Sequence, residues 1–264
     1  ELQRAADAFG FPFMLKARKG SYDGRGNFKV SGPQDFDEAV RDMGKLSLYA
    51  EKFQPFKQEL AVMVMRTEDD EGKLRDVYAY PAVETIHEDS ICTKVFYPPR
   101  KVSNQVCEAA KKVASDVIRT LKGRGVFAVE MFLLNDGKLT TVYTFWMNFI
   151  NKSQTNSSST RLLLDRKSFS MCSHLYDIQL TRSRHNSGHL WIEAVPAMSQ
   201  FRAQLFAILD IVPPSIKLTP RVSEAIMLNI LGGAKEDSHE KLAKMTEAHY
   251  NDDMDVFLHL YGKG

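Results

Sequence analysis

The stretch Phe11-Pro12-Phe13-Met14-Leu15-Lys16-Ala17-Arg18-Lys19-Gly20-Ser21-Tyr22-Asp23-Gly24-Arg25-Gly26-Asn27 decides the reading of this chain. A short apolar run ends on a lysine, and a glycine-punctuated loop follows at once. Glycines at 20, 24 and 26 let backbone N–H groups turn toward anionic oxygens, and Lys16 and Arg25 add positive charge. That order suits a polyphosphate. The loop is not of the Walker A kind, because no Gly-Lys-Ser/Thr opens a helix after it. On glycine count alone, a basic hairpin turn is an equal reading.

Working outward, residues 1–9 pattern as a helix that stops at Gly10. Phe36, Ala39, Val40, Met43 and Leu46 fall at helical spacing within 34–50. Runs 58–66 and 75–84 read as strands around the polar turn Glu68-Asp69-Asp70-Glu71-Gly72. Ser103 caps a helix over 103–122, with Val106, Ala110, Val113 and Val117 inward and Gly123 closing it. A strand over 125–134 turns back into 138–142 through Asn135-Asp136-Gly137, a strong hairpin signal. A helix covers 198–209, and Pro213-Pro214 marks a boundary. Antiparallel strands with intervening helices give an α+β class.

With 264 residues, 44% hydrophobic and 26% charged, the chain can bury a core. A net charge of +2 is too mild to argue for nucleic acid or a membrane as partner. Cys92, Cys107 and Cys172 lie far apart without metal spacing, as expected of reduced thiols in a cytoplasmic protein. There is no apolar run of membrane-spanning length and no signal-peptide pattern. The chain opens mid-helix without a methionine, so a fragment is expected. Residues 143–181 fit no period and are rich in Asn and Ser, an improbable stretch inside a compact domain. Retained intron sequence and a lineage-specific loop are the two readings.

The run Leu15-Lys16-x-Arg18-x-Gly20-x-Tyr22-Asp23-Gly24-x-Gly26 resembles the nucleotide loop of the ATP-grasp 5-(carboxyamino)imidazole ribonucleotide synthases. In fungi these form the front part of phosphoribosylaminoimidazole carboxylase. Phe56-Lys57-Gln58-Glu59-Leu60, Tyr80-Pro81-Ala82-Val83-Glu84-Thr85-Ile86-His87, Gly125-Val126-Phe127-Ala128-Val129-Glu130-Met131-Phe132, His185-Asn186-Ser187-Gly188-His189 and Ala225-Ile226-Met227-Leu228-Asn229 occur in the family's order. The resemblance covers 1–140 and 184–263. It implies an ATP-grasp fold with a partial small C-terminal subdomain. The expected division is a nucleotide-binding part over 1–142, the anomalous insertion 143–181, the end of the ATP-grasp over 182–212, and the subdomain over 213–264.

The resemblance also implies ATP and magnesium as cofactors, and aminoimidazole ribonucleotide and bicarbonate as substrates. It implies a homo-oligomer in the full-length enzyme. Lys16 would meet the nucleotide phosphates as a point charge, under a lid formed by Ser21, Tyr22, Asp23, Gly24, Arg25, Gly26 and Asn27. Glu51, Lys52, Phe53 and Gln54 fall at the hinge that meets adenine. Glu59 falls where ribose hydroxyls bind, and a carboxylate can accept from both. His87 stands near the nucleotide. Glu130 is the strongest signal internal to the sequence. It lies among apolar strand residues, where a carboxylate is costly unless paired or bound to metal, and magnesium takes oxygen ligands. A salt bridge is the bland alternative.

The family's second metal carboxylate, in Asn-Glu, would fall near Val142-Tyr143, where neither side chain ligates as a carboxylate does. This departure puts turnover by the chain in doubt. Arg184, His185 and Asn186 would hold carboxyphosphate, with Ser187 and Lys263 on the acceptor substrate. The family has Arg, one residue, then His, so Ser183 stands where the arginine belongs, flanked by Arg182 and Arg184.

Overall fold

The computed structural model describes residues 1–19, 26–88, 91–141, 144–145, 179–182, 186–211, 215–230, 238–249 and 254–259. In chain order the elements are α1 (Leu2–Phe9), β1 (Phe13–Ala17), β2 (Asn27–Val30), α2 (Phe36–Met43), β3 (Leu48–Lys52), β4 (Gln58–Glu68), β5 (Leu74–Ala79), β6 (Val83–Glu88), β7 (Ile91–Tyr97), α3 (Asn104–Arg119), β8 (Gly125–Leu133) and β9 (Leu139–Thr141). There follow β10 (Thr144–Phe145), β11 (Gln179–Arg182), α4 (Asn186–Ala194), α5 (Gln200–Leu209), β12 (Ala225–Leu228) and α6 (Ser238–His249).

The N-terminal strands make a three-stranded antiparallel sheet in the order β2-β1-β3. Its core joins Phe13, Leu15 and Val30 to Ala6, Ala39 and Met43 of α1 and α2. Among the described residues, α2 ends at Met43, before the helix expected over 34–50 is complete. Val40 is exposed, and residues 48–50 belong to β3. Ala39 and Met43 of that apolar series are buried, Phe36 packs against the same core, and Gly44 caps the helix.

The second sheet has nine strands, with the path β10-β11-β8-β4-β6-β7-β12 and β5 and β9 paired at its margins. β4 runs antiparallel to the whole length of β8, from Gln58 opposite Leu133 to Arg66 opposite Gly125. Directly opposed residues point to the same face, so the register sorts the side chains. Leu60, Val62, Val64, Phe127, Val129 and Met131 face Ala110, Ala114 and Ile118 of α3. Ala61, Met63, Met65 and Val126 face Trp191 of α4 and Ala203 and Ala207 of α5. Each large aliphatic so buried contributes about 1.5–3 kcal/mol before conformational entropy is set against it. Small residues on α5 let that helix lie close to the sheet.

The strand expected over 75–84 is two strands. Residues 80–82 break it, because Tyr80 is fully buried and its hydroxyl donates to the Met198 carbonyl at 2.6 Å. The helix capped by Ser103 is present: Ser103 Oγ accepts the Val106 N–H, and Thr120, not Gly123, is its C-cap. The β8–β9 hairpin is as expected, with Gly137 at φ +81°.

β9 and β11 lie on one edge of β8. Thr141 pairs with Met131, and Gln179 pairs with the next residue, Glu130. Where residue 142 would stand in an unbroken strand, residue 179 stands instead, 37 positions later in the chain. Residues 179–181, grouped above with the anomalous segment, are therefore sheet residues. Residues 143 and 146–178 lie outside the described residues.

Compactness divides the chain into Glu1–Met227 and Leu228–Gly264. The division comes later than Pro213-Pro214 suggests, because Ile216, Leu218, Ala225 and Met227 pack on the core beneath α4 and α5. The second unit holds α6. No helix among the described residues is long and apolar enough to cross a membrane.

Candidate functional site

The face of the large sheet that carries α4 and α5 is apolar at one end and acidic at the other. On β4 the inward series Met65, Met63, Ala61 ends at Glu59. On β8 the matching series Val126, Ala128 ends at Glu130 and Phe132. β6 adds Val83, Thr85 and His87 beside them. Three residues expected at the site from sequence, Glu59, His87 and Glu130, thus lie at the same end of this face.

His87 Nδ1 bonds Glu59 Oε2, and both side chains are about four-fifths covered, at 23% and 21% exposure. Burial alone would lower the His87 pKa. The hydrogen bond and charge of Glu59, with Glu130 beyond, outweigh it and hold the value above the ordinary 6.5. Burial raises the Glu130 carboxyl, the Glu59 charge adds to the rise, and His87 opposes it. Cys92, opposite His87 on β7, has its thiol pushed up to about 12 by burial and by the charges of Glu130 and Glu59. It is an inert thiol. Glu130 is a partly buried carboxylate with no cation bonded to it among the described residues, and an oxygen donor of the kind a hard divalent ion takes. Among the described residues no three His, Cys, Asp or Glu side chains group around one point. Magnesium is commonly held by one or two carboxylates together with substrate phosphates.

The three-stranded sheet gathers a second set. Lys16 is buried on β1, and its ammonium is paired with Glu51 of β3. Asn27 stands opposite Lys16 on β2. Its Oδ1 is buried without a hydrogen-bond partner among the described residues. Glu51 and Lys52 lie within β3, with Phe53 and Gln54 just after it. Lys29 places its ammonium 4.4 Å from the centre of the Phe53 ring. Phe56 then stacks on Phe132 at 4.0 Å with the rings 3° from parallel, next to Glu59 and Glu130. Gly26, just before β2, has φ +89°. Ser21, Tyr22, Asp23, Gly24 and Arg25 lie outside the described residues.

Comparison with known proteins gives the family. Residues 1–142 match the ATP-grasp domain family. The chain belongs to the ATP-grasp family. Over the whole chain it is 38% identical to carboxyaminoimidazole ribonucleotide synthase of Aspergillus clavatus, solved with ATP, at a TM-score of 0.76; it covers 56% of that chain. The same fungus's enzyme, solved with ADP and 5-aminoimidazole ribonucleotide, matches over 94% of this chain at 36% identity and a TM-score of 0.71. The phosphoribosylaminoimidazole carboxylase of Schizosaccharomyces pombe is 36% identical over 99% of this chain. The chain spans 40% of the length of that relative.

Of the residues expected at the nucleotide most are described, and of those expected at the acceptor most are not. Arg184, His185 and Lys263 lie outside the described residues, as do Val142 and Tyr143. Asn186 opens α4, and Ser187 is buried at its first turn. Gly188 shows why that turn needs glycine. A Cβ there would overlap the Gln200 amide and touch Met63 Sδ at 3.0 Å, so α4 approaches β4 closely only without one.

Two features escaped sequence reasoning. The Phe56–Phe132 stack joins residues far apart in the chain, and neither carries a signal beyond being aromatic. Gln179 is the other. The register sets it opposite Glu130, and counting back from Ser183 it stands where the family's Asn-Glu-x-Ala-Pro-Arg has its glutamate. The interruption of the strand hid that count.

Proposed function

We propose that this chain is the ATP-grasp part of a phosphoribosylaminoimidazole carboxylase, acting in de novo purine synthesis. It would carboxylate 5-aminoimidazole ribonucleotide with bicarbonate and ATP through carboxyphosphate, in the cytoplasm. The observation that carries the reading is the whole-chain likeness, at 36–38% identity, to enzymes solved with ATP and with ADP plus the ribonucleotide. The grouping of Glu59, His87 and Glu130 supports it.

Lys16 would release Glu51 and meet the phosphates, with the lid residues 21–27 closing over them. The hinge 51–54 and the Phe56–Phe132 stack would hold adenine, and Glu59 the ribose hydroxyls. Glu130 fits magnesium, which neutralises phosphate charge when bound. A bicarbonate oxygen attacks the γ-phosphorus and ADP leaves. The exocyclic amine then attacks the carboxyl carbon and phosphate leaves, the amine proton passing to solvent or phosphate. Positioning and charge neutralisation carry such transfers. Arg184, His185 and Asn186 would steer the carboxyl group, and Ser187 and Lys263 would hold the acceptor. The full-length enzyme would be a homo-oligomer.

Gln179 opposite Glu130, and Ser183 in the arginine's place, favour a second reading: a chain that binds ATP without turnover. Release of ADP that requires both bicarbonate and aminoimidazole ribonucleotide would support the carboxylase. Binding of magnesium-ATP by calorimetry, with no such release, would support the second reading. Failure to bind magnesium-ATP would refute both.

A further inference from the structure

Thr85 sits at the floor of the acidic end. It pairs directly with Glu59 across β4 and β6, and with Val95 across β6 and β7. It is 2% exposed, and its Oγ1 is buried without a hydrogen-bond partner among the described residues. Its other neighbours on this face, Val83, Val95 and Ala61, have no side-chain acceptor. An unspent buried hydroxyl destabilises the free protein.

Directly opposed Cβ atoms lie about 4.5–5.5 Å apart, so a threonine hydroxyl can reach the carboxylate facing it. Glu59 uses Oε2 for His87, its one hydrogen bond among the described residues. Its other oxygen is free to accept.

We propose that Thr85 is a positioning residue for Glu59, its hydroxyl held in reserve beneath the carboxylate and donated to it when the ribose of a bound nucleotide engages Glu59. The inference rests on the nucleotide reading given above. Ribose hydroxyls donating to Glu59 turn the carboxylate from its His87-bound setting and bring the second oxygen within reach of Oγ1. The threonine bond then fixes the carboxylate in the orientation that accepts from both ribose hydroxyls. A hydrogen bond to a charged acceptor is among the stronger kinds, so its loss is measurable.

The test compares wild type, Thr85→Val and Thr85→Ser in the full chain. Calorimetry is run with magnesium-ATP and with its 2′,3′-dideoxy analogue, and thermal melting without ligand. Thr85→Val keeps the shape and removes the hydroxyl. It is expected to melt no lower than wild type and to bind ATP about tenfold more weakly. Thr85→Ser is expected to restore ATP binding. With the dideoxy analogue, which offers Glu59 nothing, wild type and Thr85→Val are expected to bind alike.

Thr85→Val that melts lower would show the hydroxyl already satisfied and overturn the inference. Unchanged ATP affinity, or an equal loss with both nucleotides, would overturn it too, while leaving the nucleotide reading intact. Wild type that binds neither nucleotide would overturn the nucleotide reading and this inference with it.

Discussion

Two buried carboxylates on opposite faces of the same sheet have opposite surroundings. Glu84, on the α3 face, is fully met by protein. The Arg100 guanidinium takes both oxygens, at 2.8 and 3.1 Å, and the Arg100 backbone N–H donates to Oε2 at 2.9 Å. Burial pushes its pKa up, but these bonds outweigh burial and hold it below 4.5. For Glu130, on the α4–α5 face, the His87 charge opposes burial and the Glu59 charge among the described residues without outweighing them, and its pKa is raised. A carboxylate that stabilises a fold is given its partners, and one left short of them is a candidate for binding a ligand.

Replacing each acid by its amide tests that contrast most directly. Glu130→Gln is expected to weaken magnesium-dependent ATP binding about 10-fold or more, read by calorimetry. It is also expected to raise the melting temperature by about 2–4 °C, because a poorly solvated charge is removed. A fall in melting temperature would show that Glu130 already has a structural partner. Glu84→Gln is expected to do the reverse: about 1–2 kcal/mol of stability lost in denaturant melts, the exposure of Arg100 limiting the effect, and ATP affinity kept. The Glu84 contribution is full above its ordinary 4.5 and is lost as pH falls through its lower folded value. Acid melts of wild type and Glu84→Gln should therefore converge below pH 4.5.

A smaller effect is expected at Lys16. If Lys16 meets the phosphates as proposed, Lys16→Ala should lower ATP affinity about fivefold to tenfold, since the lysine must first leave Glu51. Unchanged affinity would place the phosphates elsewhere. The smallest is the pH dependence of the Glu59–His87 pair. Its stabilising contribution is full below 6.5 and fades as pH rises through the raised His87 value. The stability gap between wild type and Glu59→Gln should narrow above that point in melts across pH 6–9.

Much of this was legible in the chain where the signal was local. Asn135-Asp136-Gly137 marked its hairpin because the turn needs a residue at positive φ, and Gly137 supplies it. Ser103 marked its helix because the capping bond spans only three residues. The break between β5 and β6 was not legible. It depends on Tyr80 reaching the Met198 carbonyl, a contact set by tertiary packing. Of the candidate site, the out-of-place Glu130 could be read from residue chemistry, whereas Gly20 and Gly24 of the loop lie outside the described residues. The pairing of Glu59 with His87 could not, because it is fixed by how β4 and β6 come into register. Gln179 was hidden because the chain reaches it only after the strand is broken.

That broken strand makes the protein divisible. The ladder from Gln179–Glu130 to Arg182–Phe127 joins two stretches, and the sheet does not require them to be covalently continuous between Phe145 and Gln179. The first stretch carries Lys16, Glu59, His87 and Glu130; the second carries Asn186 and Ser187. Two separately expressed pieces, 1–145 and 179–264, would form a complementation pair. Reconstituted ATP binding on mixing would report that strand pairing, turning a lesion in the sheet into a sensor of its own repair.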